Sequence, residues 1–347
     1  MPNILLEEMS HPEIDWMLSI GQRIELTPGT ILTTPNHPPE LLYVVLAGDL
    51  AVDFSSAEQT EQPADWELAG LSNGQIVGAI PFLPEFFPAV TVRSLTSAIV
   101  LAIPRSALSQ KLEVDCEFAA HFYRASALLL MQRLVNFSRY IGCPVAQLSQ
   151  MQLREASVVF AELQDSDLDW LIAVGRVQSL APETLLIQPD RPVDDLNLIL
   201  EGSVALHLLA DSSFVSDKFL SDRGADIGQA FARLSRGDWL GETLAIDAFP
   251  PYLAAKTLRE TEVLSISKWR LKAKLWHDSE FAARFYRILA ILLANKQQRV
   301  IQQWTNSTHK SELDNQRLTQ ITLAEARFEW MLKRIRTQLK TGGILQW

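Results

Sequence analysis

The chain runs to 347 residues, 48% of them hydrophobic, with 31 Lys and Arg against 41 Asp and Glu and a formal net charge of −10. That length holds two or three domains, and the acidic balance repels a nucleic-acid polyanion, so no nucleic-acid partner is expected. Apolar stretches such as 125–131 fall far short of the roughly 20 residues that cross a bilayer, the first nine residues lack a secretory signal pattern, and Cys116 and Cys143 sit in unlike contexts, so a cytoplasmic protein without membrane insertion, disulfide or metal is expected.

The chain repeats itself. Asp15-Trp16-Met17-Leu18-Ser19-Ile20-Gly21 recurs as Asp169-Trp170-Leu171-Ile172-Ala173-Val174-Gly175, an offset of 154 positions. Phe118-Ala119-Ala120-His121-Phe122-Tyr123-Arg124 recurs as Phe281-Ala282-Ala283-Arg284-Phe285-Tyr286-Arg287, an offset of 163. Two copies of one domain, separated in offset by a nine-residue insertion, account for most of the chain. The expected division is a first domain over 1–143, a linker over 144–153, a second domain over 154–309 and a helical extension over 310–347.

Each copy opens on a short helix ending at Gly21 or Gly175. Residues 23–32 and 177–186 then read as short strands joined by turns, from β-branched and aliphatic residues between Pro and Gly punctuation. Strands follow at 41–46 and 196–200, each leading into a glycine, Gly48 or Gly202, which predicts a shared turn that disfavours a side chain. Residues 50–54 and 204–208 continue the sheet. The next loops differ. The second holds Asp217, Asp222 and Asp226, but without the register of a calcium loop it reads as a solvated hairpin.

Both copies close on long apolar-periodic helices without proline, 117–137 and 280–303. Gly142 and Pro144 end the first. A last helix over about 318–339 puts Ile321, Leu323, Ala324, Phe328, Met331, Leu332 and Ile335 near one face, which predicts packing against the body or a partner. Its cations Lys333, Arg334, Arg336 and Lys340 read as a solvated face.

Residues 237–245 (Gly-Asp-Trp-Leu-Gly-Glu-Thr-Leu-Ala) and 257–266, together with Asn73-Gly74-Gln75-Ile76-Val77-Gly78-Ala79, Thr91-Val92-Arg93-Ser94-Leu95 and Ile99-Val100-Leu101-Ala102-Ile103, resemble the cyclic nucleotide-binding domain family. The resemblance covers about residues 12–303. It implies a mixed β plus α fold of two double-stranded β-helix, or jelly-roll, domains with flanking helices.

In ligand-binding members of that family a phosphate cassette supplies a Gly and backbone amides to the phosphate, a Glu to the ribose and an Arg to the cyclic phosphate. Desolvating an anionic phosphodiester without a cation is expensive. The resemblance places that Arg at Pro251 in copy two and Pro88 in copy one, and proline also removes a backbone donor. Copy two keeps Gly241 and Glu242, whereas copy one has Gly78 and Ala79, so the first pocket is not expected to hold cAMP. The pocket implied in copy two comprises Gly241, Glu242, Thr243, Leu244, Tyr252 and Lys256. Lys256, like Arg93 in copy one, lends charge if it turns inward and is a solvated surface cation if it does not. Tyr252 stacks on a ligand or packs at a sheet turn. Glu242 either touches ligand or caps the short helix that follows.

After Trp304 only one long helix remains, too little for the two-helix unit that reads a major groove. His11, His37, His121, His207, His277 and His309 are scattered without metal-ligand spacing, and no nucleophile or phosphate-loop motif is present, so no enzyme is expected. The segment Leu163-Gln164-Asp165-Ser166-Asp167-Leu168-Asp169-Trp170-Leu171, the duplication and the terminal Ala326-Arg327-Phe328-Glu329-Trp330-Met331-Leu332 resemble a cyanobacterial family of tandem domains associated with bacteriocin-type peptide export. The expected function is a regulatory or adaptor protein with degenerate pockets, no resident cofactor and a protein partner, dimerising through its long helices. The alternative is a sensor of cAMP or cGMP in the second domain only.

Overall fold

The computed structural model describes residues 4–34, 40–53, 67–78, 91–140, 151–152, 156–188, 191–208, 230–247, 253–304 and 315–340. It groups the chain into two compact units, Met1–Ile141 with Ala282–His309, and Gly142–Phe281 with Lys310–Trp347. No helix among the described residues is long and apolar enough to cross a membrane.

The first unit opens on helices α1 (Ile4–Glu8) and α2 (His11–Ile20). The Ser10 N–H donates to Glu13 Oε2 at 2.6 Å, closing a capping box at the start of α2. Eight strands follow among the described residues: β1 (Gln22–Leu26), β2 (Ile31–Thr33), β3 (Leu41–Ala47), β4 (Leu50–Asp53), β5 (Glu67–Leu71), β6 (Ile76–Val77), β7 (Thr91–Ser94) and β8 (Ala98–Pro104). They form two antiparallel sheets ordered β1-β8-β3-β6 and β2-β7-β4-β5. The sheets close over Leu26, Val45, Leu50, Val52, Leu71, Val77, Val92, Ala98 and Val100, with Tyr43 packed against that core. Removing this apolar surface from water is the main force holding the sheets together. Helices α3 (Arg105–Val114) and α4 (Cys116–Tyr140) complete the repeat. Cys116 is half-buried and free, while Cys143 lies outside the described residues.

The second unit begins with β9 (Met151–Gln152), in the segment expected to be linker, and helices α5 (Ala156–Glu162) and α6 (Asp165–Val174). Strands β10 (Arg176–Leu180), β11 (Leu185–Ile187), β12 (Asp195–Glu201), β13 (Ser203–Leu208), β14 (Ala230–Ser235), β15 (Trp239–Leu240), β16 (Leu253–Thr257) and β17 (Thr261–Ser267) repeat the topology. Their sheets are β10-β17-β12-β15 and β11-β16-β13-β14, the latter extended by β9 in parallel with β14. Helices α7 (Lys268–His277) and α9 (Asn315–Lys340) belong to this unit, whereas α8 (Ser279–Trp304) groups with the first from Ala282 onward.

The jelly-roll fold that the resemblance implies is therefore present, strand for strand, in both copies. So is the shared glycine turn. Gly48 and Gly202 hold φ of +84° and +105°, and a Cβ would stand 2.6 Å from the Cα of Ala98 or of Thr261.

Two expectations need correction. Leu323 does not share the buried face of α9: it is 55% exposed, because Ala324, Phe328, Met331 and Ile335 form the buried stripe and its position turns away from them. That stripe packs on α5 and α6, with the Phe328 ring 4.9 Å from Phe160 and the Arg334 guanidinium 2.7 Å from Asp169. The side chain of Ile321 lies outside the described residues. The closing helices of each repeat are also two rather than one. Helices α3 and α7 bury only Leu108 with Leu112 and Leu271 with Leu275, a stripe too sparse to read from periodicity.

Candidate functional site

In the second barrel the sheet hands over to the candidate site at Gly241. Its φ is +88°, and a Cβ would stand 2.6 Å from the Asp195 carbonyl oxygen on β12, so only glycine lets the chain turn this closely beneath the strand. The next five residues, Glu242–Ile246, form one 3-10 turn in which every residue is buried, Glu242 and Thr243 at 5% and 6% exposure among them. The Leu244 N–H closes the turn onto the Gly241 carbonyl at 3.1 Å. The turn contacts β12 on one side and α7 on the other.

Asp247 ends this turn in a left-handed conformation, φ +51°. Its carboxylate receives Lys272 at 2.5 Å and Lys268 at 3.3 Å, both from α7. Burial works against the Asp247 charge, but the two ammonium groups outweigh it and hold the carboxyl below its ordinary range. Asp195 moves the other way: burial, with the neighbouring Asp194 charge, raises it.

Four of the six residues singled out from sequence, Gly241, Glu242, Thr243 and Leu244, thus lie in one buried turn. Lys256 sits apart on β16, where its ammonium lies 2.6 Å from Glu183 Oε2 in an ion pair whose carboxylate is 68% exposed. Glu183 holds φ +65°, at the position that Gly29 occupies with φ +86° in the first repeat. Tyr252 lies outside the described residues, as do Pro251, Pro88 and Ala79. Gly78 repeats the conformation of Gly241 with φ +84°.

Reading the sequence for motifs missed a polar pair inside the second barrel. Asn197 faces Leu240 across β12 and β15 and faces Ser265 across β12 and β17. The Ser265 hydroxyl donates to Asn197 Oδ1 at 2.5 Å, and Asn197 Nδ2 donates to the Asp195 carbonyl at 3.3 Å. In the first barrel the same register holds Tyr43 opposite Val77 and Ala102. Tyr43 is half-buried against the barrel core, and burial pushes its phenol up from the ordinary value. The signal available beforehand was the change from Tyr and Ala to Asn and Ser between aligned repeats.

A second missed residue is Arg133 on α4. Its guanidinium donates to the Ile76 carbonyl on β6, two residues before Gly78, and burial pushes it down to about 10.

Comparison with known proteins places residues 23–115 in a match to the cyclic nucleotide-binding domain family. No curated protein matches the chain. Among solved structures the chain is similar to cAMP-bound PfPKA-R (141-441), at 14% identity over 78% of this chain and 79% of that one, TM-score 0.30. It is similar to the regulatory subunit of a cAMP-independent protein kinase A from Trypanosoma cruzi bound to guanosine, at 13% identity over 90% and 92%, TM-score 0.28. It is also similar to the c-di-GMP responsive regulator CLP of Xanthomonas campestris, at 18% identity over 43% and 69%, TM-score 0.35.

Proposed function

We propose that this chain is a non-enzymatic regulatory or adaptor protein whose two jelly-roll barrels hold degenerate nucleotide pockets. The observation that carries this reading is the ion pair of Lys256 with Glu183. With proline at 251 and 88, Lys256 is the replacement cation the sequence offers the second barrel, and its ammonium is engaged by an exposed carboxylate. A cyclic phosphate entering there must draw Lys256 away from Glu183 or be desolvated without that cation. In the first barrel Ala79 also removes the ribose acceptor, and a half-buried Tyr43 stands where the second barrel has Asn197.

On this reading the chain acts by binding a protein partner or a second copy of itself. A role beside bacteriocin-type peptide export rests on the motif resemblance alone. The test is a melting curve with and without roughly millimolar cAMP or cGMP. A ligand present at about 100 times its Kd adds about 2.7 kcal/mol to stability, so an unmoved transition supports the adaptor, and a shift of several degrees contradicts it.

A second reading has its own observation in favour. Glu242 and Thr243 are buried in the turn that follows Leu240, and Leu240 faces the Asn197 and Ser265 pair. These groups suit a one-site sensor in which Glu242 accepts from a ribose hydroxyl of cAMP or cGMP. Glu242→Ala then weakens nucleotide binding by far more than a few-fold, and an unchanged affinity removes the proposed ribose contact.

A further inference from the structure

Helix α7 presents an outward face that the fold does not require. Trp269 and Trp276 are 67% and 85% exposed. Seven residues apart, they stand on one side of the helix about 10 Å from each other. Ala273 and His277 are exposed beside them, while Leu271 and Leu275 are buried on the opposite side. Four cations flank the exposed stripe: Lys268 and Lys272 along one rim, Arg270 and Lys274 along the other. Arg270 lies 5.1 Å from the Trp269 ring centroid.

The first repeat is an internal control. Helix α3 is the same element at the offset of 163, and it buries Leu108 and Leu112 where α7 buries Leu271 and Leu275. Where α7 exposes Trp269, Ala273 and Trp276, α3 exposes Ser106, Gln110 and Glu113. Where α7 carries Arg270 and Lys272, α3 carries Ala107 and Ser109. Packing is satisfied in both helices by the same two leucines, so the tryptophans and added cations of α7 serve something outside the barrel.

We infer that the outward face of α7 docks on an anionic lipid surface, lying on the membrane rather than crossing it. Charge complementarity selects this occupant. Among the described residues the acidic partners of these four cations are Asp247 and Asp278, and Arg270 also donates to the Val174 carbonyl at 2.7 Å, which leaves the helix surface net positive on a chain of net charge −10. Cations on both rims of an aromatic stripe meet a plane of headgroup phosphates together, while the indoles enter the interface between them. The aliphatic stems of the lysines let the ammonium groups reach that plane without leaving the stripe.

The test is co-sedimentation of the full chain with phosphatidylcholine vesicles containing roughly one-third phosphatidylglycerol, against phosphatidylcholine alone. The protein is expected to sediment with the anionic vesicles only and to be released by about 0.5 M salt. The double variant Trp269→Ser with Trp276→Glu carries the residues of the first repeat, and its partitioning is expected to fall at least about tenfold with an unchanged melting curve. If that variant unfolds early, Trp276→Ala alone is measured, and its partitioning is expected to fall. A wild-type protein that stays in the supernatant, including one that binds an acidic peptide instead, overturns the inference. A variant that sediments as well as wild type overturns it too.

Discussion

The Ser265 hydroxyl donates to the Asn197 amide oxygen at 2.5 Å inside the second barrel, and Asn197 stands where the first barrel carries Tyr43. Two barrels with one strand order thus have different interiors at the strand that runs beside the 242–246 turn in the second. One carries a half-buried phenol ring against its core, and the other a buried amide and hydroxyl.

Removing one member of that pair exposes its value. Ser265→Ala installs the residue that Ala102 supplies in the first repeat and leaves the Asn197 oxygen without its donor. The expected loss is about 1–2 kcal/mol, read from equilibrium urea unfolding, and a change below about 0.3 kcal/mol contradicts a buried hydrogen bond here.

Gly241 and Gly29 separate two effects of a left-handed glycine. Both have strongly positive φ, +88° and +86°, but a Cβ meets the Asp195 carbonyl only at Gly241 and meets nothing within 4 Å at Gly29. Gly29→Ala is expected to cost about 1 kcal/mol from backbone conformation alone. Gly241→Ala is expected to cost at least about twice that, because the strand or the turn must also move. Equal losses in thermal melts contradict the close approach at β12.

Glu183 adopts φ +65° where the first repeat uses Gly29. A non-glycine residue there costs about 1 kcal/mol, and a surface ion pair with Lys256 returns about 0–1 kcal/mol. Glu183→Gly is therefore expected to stabilise the protein by about 0.5 kcal/mol. A loss of about 1 kcal/mol or more in denaturant titration shows that the ion pair outweighs the backbone.

Asp247 gives a pH dependence with a definite sign. Its carboxyl is held below the ordinary 3.8 by Lys272 and Lys268 against the opposing effect of burial. A depressed acid contributes stability that is present above 3.8 and is lost as pH falls through its folded value. Asn keeps the left-handed conformation accessible. Asp247→Asn is thus expected to cost up to about 1 kcal/mol at neutral pH, given the exposed surface of the pair. The difference from wild type should close in strong acid; a gap that persists there contradicts the linkage.

The fold was legible because the chain states it twice. Gly48 and Gly202 marked a turn that the Ala98 and Thr261 backbones crowd, and the long proline-free segments became α4 and α8. The Gly-Glu step at 241–242 marked the turn of the candidate site. What stayed hidden depends on partners distant in sequence. Ser265 and Asn197 lie 68 residues apart, and Lys256 and Glu183 lie 73 apart, so neither pairing leaves a local pattern. Helix α7 escaped periodicity because two leucines hold it while its other positions, Ala273 apart, are charged or aromatic. Leu323 misled because apolarity alone does not say which side of a helix a residue takes.

The most direct test is calorimetric titration of the purified, nucleotide-free chain with cAMP and cGMP. The adaptor account predicts no binding heat for either nucleotide at concentrations up to roughly millimolar. One saturable micromolar site per chain, lost in Glu242→Ala, contradicts it and makes the second barrel a sensor that tolerates proline in place of the cassette arginine.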